Sequence, residues 1–142
     1  MNNTARDELA AMAARLSQSA SLTGLLAAGF DAFEAIRAGC RACELSEPGL
    51  LAALMMAAGA AVEGRNALAA APSFPPGGAR NAGALGPDVG EAADALAALA
   101  GLLADAMSAA AAEASDPADR ARCADAGDAA QQISHLLAGP AR

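Results

Sequence analysis

The chain has 142 residues, 16 acidic against 9 basic side chains and a net charge of −7, which is the length of one domain with a mildly acidic surface. It contains no Trp, no Tyr and only three Phe, so it lacks both the stacking platforms and the basic surface that nucleic-acid binding needs. About a third of the residues are alanine, the best helix former, whose single methyl lets helix axes approach closely.

Such a composition makes a thin core, which favours completion of the protomer by oligomerisation, most simply a homodimer. The opening stretch MNNTARDELAAM is acidic where an export signal would be basic and then apolar. With no spanning segment read from the sequence, the expectation is a cytoplasmic protein without a membrane partner. Three cysteines, an odd number, suit a reducing compartment better than a disulfide framework.

In chain order, Thr4 and Asp7 resemble a capping box, and Leu9, Met12, Ala13 and Leu16 follow on one face of a first helix. The polar run 17–21 is either a break with Ser21 as the next N-cap or a turn within one long helix. The second helix spans about 22–45. Its seam of Leu22, Leu26, Gly29, Phe33, Ile36, Cys40 and Cys43 alternates spacings of four and three. Gly29 marks a close helix crossing, and Asp31, Glu34, Arg37, Arg41 and Glu44 read as a solvated face.

Ser46 and Pro48 restart the helix. Residues 48–62, PGLLAALMMAAGAAV, carry no charge and no polar side chain. A helix apolar all round has no solvent face, so the third helix, running to about Ala71, is expected to be covered on every side. Leu51, Met55, Ala58, Val62 and Ala69 form one seam, with Leu54, Ala61 and Leu68 filling the other. Ala57, Gly59, Ala60 and Ala61 imply close contacts, so Gly59→Leu is expected to disrupt folding or assembly by overpacking.

Prolines and glycines across 72–90 forbid regular structure and suit a crossover between two hairpins, anchored by Phe74 and Leu85. The fourth helix opens at Pro87-Asp88, with Val89, Ala92, Leu96, Leu99, Leu103, Ala106 and Ala110 on its seam and Leu102 and Met107 widening it. Asp116 and Pro117 stop it and start the fifth. That helix carries Cys123, Ala126, Ala130, Ile133 and Leu137 and ends at Gly139-Pro140. The fold expected is a single all-α domain over 1–142. Its five helices make a four-helix-type up-down bundle: N-terminal helices over 4–71, the Pro/Gly-rich loop over 72–90, and a C-terminal hairpin over 88–139.

Three groups of residues could carry chemistry. Cys40-Arg41-Ala42-Cys43 is a CxxC, and with Cys123 it would offer three thiolates to a soft metal ion. It sits on an apolar seam near a helix C-terminus, however, where structural cysteine is the stronger reading. Glu63-Gly64-Arg65-Asn66 is the polar cluster inside the third helix, read as solvated or as a patch in which Arg65 reaches a carboxylate of the second helix or a ligand anion. His135, the single histidine, lies opposite its helix's seam and cannot supply a histidine-rich metal site. No phosphate-binding glycine loop, carboxylate-bundle metal motif or nucleophile with a base is present, so no cofactor is implied and enzyme activity has no positive support.

Two functions remain. One is a non-enzymatic interaction or scaffold protein that self-associates. Its C-terminal half (88–142) holds nine acids against three arginines, and an acidic surface there would steer a basic protein partner to it. The other is a small apolar-ligand binder, with Met55, Met56, Phe30 and Phe33 as adaptable walls and the 72–90 loop as a lid.

Overall fold

The computed structural model describes residues 3–44, 48–75 and 93–138, with side chains from residue 7 onward. Among these residues are five α-helices and no strand: α1 (Asn3–Gln18), α2 (Leu22–Cys43), α3 (Leu51–Ala69), α4 (Ala93–Glu113) and α5 (Pro117–Ala138). A single 3-10 turn, Pro48–Leu50, leads into α3.

Local chemistry sets the breaks. Ser19 Oγ donates to the Arg15 carbonyl at 2.6 Å as α1 ends. Ser21 caps α2, its hydroxyl accepting from the Gly24 N–H at 3.1 Å. The first two helices are therefore separate. Asp116 accepts from the Ala118 N–H at 2.7 Å, and Pro117 occupies the first position of α5, where its missing N–H costs nothing. Thr4 lies within α1, its side chain outside the described part, and the expected features at Ser46, Leu85, Pro87-Asp88, Val89, Ala92 and Gly139-Pro140 lie outside the described residues.

The helices close a ring in which α2 packs on α3, α3 on α5, α5 on α4 and α4 on α2, while α1 lies over α4 and α2. Gly64 of α3 sits on Phe33 of α2, and Gly127 of α5 on Met107 and Ser108 of α4, so the chain forms two antiparallel hairpins. At one end of the bundle, Thr23 Oγ1 donates to the Ser73 carbonyl at 3.1 Å. There Ser73 also donates to the Asp119 carboxylate, from its N–H at 3.0 Å and its hydroxyl at 2.6 Å. The start of α2, the end of α3 and the start of α5 thus share one end. It follows that α3 and α4 run in the same direction, and Pro75 and Ala93 lie at opposite ends of the bundle. Of the expected crossover, residues 76–90 lie outside the described residues. Phe74 anchors its near end, the Phe30 and Phe74 rings being 5.4 Å apart and tilted at 47°.

Leu26, Phe33, Ile36, Leu54, Leu68, Leu96, Leu103, Met107 and Ile133 are the large apolar side chains fully buried in the core, each contributing about 1.5–3 kcal/mol by burial. Gly29 is the close crossing its seam position implies: an added methyl would lie 2.9 Å from Leu68 Cδ1 and 3.0 Å from Met107 Cε.

Three expectations are corrected. First, α3 is not covered on every side. Leu51, Met55 and Met56 are 43%, 58% and 55% exposed, because α3 is an outer member of the ring touching only α2, α5 and its own preceding turn extensively. The seam facing the core is Leu54, Ala57, Ala61, Gly64 and Leu68; of the expected seam, Leu51, Met55 and Ala69 are exposed, Val62 is half-buried and Ala58 is buried. Second, the helix approaches closely at Gly64, not Gly59. A methyl at Gly64 would overlap the Phe33 ring, whereas one at Gly59 would meet no atom within 4 Å.

Third, Asp31 is not solvated. It is 1% exposed and accepts from Arg15 Nη1 at 2.8 Å, which ties α1 to α2. The single-seam reading of α2 hid this, since Ala28, Ala32, Ala35 and Gly39 are buried as well. By length and composition alone, one described helix, α4, could cross a membrane, with a mean hydropathy of 1.7 in its most apolar window. In the bundle 44% of that window is buried, and its core-facing residues pack against α5, α2 and α1.

Candidate functional site

The outward face of α3 has an apolar half and a polar half. Ala52, Gly59 and Asn66, seven residues apart, run along its centre and are exposed. Met55 lies on the α2 side of that line, in a groove with Arg37, Arg41, Glu44, Gly59 and Val62. Met56 lies on the α5 side by helical spacing. Among the described residues no other large apolar side chain is more than half exposed; the other exposed ones are Leu51 and Leu102, each at 43%.

The polar half is divided. Arg65 turns to α2 and pairs with Glu34, its Nε also donating to Asn66 Oδ1 at 3.4 Å. Glu34 accepts from Arg37 as well, at 3.2 and 3.4 Å. Partial burial pushes the Glu34 carboxyl up, but hydrogen bonds from Arg37 and Arg65 and the charges of both outweigh it, and the net shift is downward. Arg65 therefore reaches a second-helix carboxylate, one of the arrangements its sequence position allowed. Glu63 and Asn66 instead face α5, lining an open groove with Arg122, Asp125, Asp128 and Gln132.

The structure does not bring the four expected ligand walls together. Phe33 is fully buried against Gly64, Phe30 is stacked on Phe74, and Met55 and Met56 lie on the outer surface. A groove of about 690 Å³ runs between α4 and α5, with Gly101, Asp105, Ser134 and His135 in its walls.

The three cysteines do not meet. Cys40 and Cys43 lie near the end of α2, whereas Cys123 stands near the start of α5, level with the first half of α2. No disulfide joins them, and all three are fully buried. Burial, with smaller contributions from Cys43 and Glu44, pushes the Cys40 thiol up to about 12; burial and then Asp119 raise Cys123. A thiol held protonated is a poor nucleophile and a poor metal ligand. Among the described residues no three His, Cys, Asp or Glu side chains are grouped to hold a metal ion.

Asp119 went unremarked in the sequence, and Asp31 and Gly64 were given other roles there than the buried ones they have. Each is a polar or small residue on a buried stripe, and only the second seam of its helix could have signalled it. Compared with protein-family models, with curated proteins and with solved structures, the chain matches none.

Proposed function

We propose that this chain is a non-enzymatic helical-bundle interaction protein. It self-associates through the outward face of α3 and presents its acidic C-terminal hairpin to a basic protein partner. The observation that carries this reading is the pair Met55 and Met56, 58% and 55% exposed, beside a glycine with open space above it. Contiguous apolar surface of this kind marks interaction sites. Methionine adapts its shape to a facing surface, and a bare Gly59 lets a second backbone come close.

The acidic surface supports the second half of the reading. Asp94, Asp105, Glu113, Asp116, Asp125 and Asp128 are all exposed on α4, α5 and the turn between them, a field that steers a basic surface toward the hairpin.

Sedimentation velocity of the parent and of the double variant Met55→Glu, Met56→Glu tests the first half. The parent is expected to dimerise in the micromolar range and the variant to stay monomeric with an unchanged helical circular-dichroism spectrum. A parent that remains monomeric, or a variant that dimerises as well as the parent, overturns it.

A further inference from the structure

Resting on the reading that α3 self-associates, we infer that the occupant of its outward face is a second copy of this chain running parallel to the first, with the twofold axis along α3 beside Gly59.

Size comes first. The 19 residues of α3 make a strip about 28 Å long and about 10 Å wide, some 280 Å². A standard interface takes about 800 Å² per partner. The neighbouring rims of α2 and α5 must therefore take part, and their charges decide the orientation.

The two rims differ. On the α2 side stand Arg37, Arg41 and Arg65 against Glu34 and Glu44. On the α5 side stand Glu63, Asp125 and Asp128 against Arg122. The first rim is net positive and the second net negative.

A twofold axis along α3 sets the α2 rim of each copy against the α5 rim of the other. An axis across α3 makes the copies antiparallel and sets like rims together, acidic α5 against acidic α5. Charge complementarity selects the parallel arrangement, because like charges brought face to face are penalised.

The heights agree. Arg37 lines the α2 groove beside Val62, and Asp128 lines the α5 groove beside Glu63. Positions 62 and 63 are adjacent, so Arg37 of one copy comes within about a helical turn of Asp128 and Glu63 of the other. On the axis itself Gly59 meets Gly59, Ala52 meets Ala52 and Asn66 meets Asn66. The small residues at the first two permit the close approach.

Cysteine cross-linking of the full chain tests the orientation. Ala52→Cys and Asn66→Cys are each placed on an exposed position, and the three native thiols, fully buried, do not compete. Mild oxidation of each variant is expected to give a disulfide-linked homodimer at both positions, which lie about 21 Å apart along the helix. Only a parallel pair brings both positions to their own copies. Homodisulfides at one position or neither, in a protein that still sediments as a dimer, overturn the parallel geometry and leave self-association through α3 standing. A protein that sediments as a monomer overturns both.

Discussion

Each face of α3 carries a glycine beside large apolar side chains, and the two do opposite things. Gly64 faces inward, and its missing side chain is filled by the Phe33 ring; Gly59 faces outward, with open space where a side chain would be. Leu54 is fully buried, while Met55 and Met56, the next residues, are more than half exposed. Within the apolar run 51–62, composition does not distinguish these faces. Only the neighbours do, and α3 has neighbours on one side because the ring of four helices places it at a corner and α1 covers the α2–α4 seam instead. Among the described residues the exposed apolar part of α3 has no internal partner, and the proposal of an external one rests on that.

The largest expected effect comes from the same substitution made on each face. Gly64→Leu forces a side chain into the Phe33 ring and is expected to destabilise the protein by about 3 kcal/mol, at the upper end for overpacking. Gly59→Leu adds a side chain in open space and gains helix propensity, so the isolated protomer should unfold within about 1 kcal/mol of the parent, on the stable side. Urea titrations of both variants below the dimerisation concentration measure the difference. Similar midpoints for the two would erase the distinction between the faces. Only assembly, read by sedimentation, should suffer in Gly59→Leu.

A smaller effect is expected where the outer face joins α2. Arg65→Ala removes one of two arginines holding the Glu34 carboxyl down. It should cost about 1 kcal/mol at neutral pH, since Arg37 remains. The sign of the pH dependence follows from the direction of the shift. A carboxyl whose folded pKa is depressed stabilises the fold above its ordinary value, 4.5 here, and loses that contribution as pH falls through the folded value. Arg65→Ala should therefore flatten the acid limb of the stability curve. An unchanged acid limb would mean that Arg65 contributes nothing to Glu34.

Much of the fold was legible because periodicity reports it. Leu9, Met12 and Leu16 on α1, and the Leu96–Leu99–Leu103 run on α4, are buried as their spacing requires. Ser21 and Asp116 cap the helices they precede. The candidate site was legible only in part. The pairing of Arg65 with an α2 carboxylate was one of the two readings that the sequence allowed for the 63–66 cluster, the other being a solvated one. Which face of α3 is open did not follow, because an apolar run of fifteen residues has no period to read. Asp31 was misplaced for a related reason: α2 is buried over two stripes, and a carboxylate on the second is compatible with the core only because Arg15 arrives from α1. Partners brought by tertiary contact leave no trace in local spacing.

Native mass spectrometry of the unmodified full chain tests self-association most directly, since it reports assembly and any retained small molecule in one spectrum. A species of twice 13.7 kDa, giving way to the monomer on dilution and carrying no additional mass, is the expected result. A monomer that persists across the micromolar range, or one that retains a small molecule, would contradict an α3 face built for a second copy.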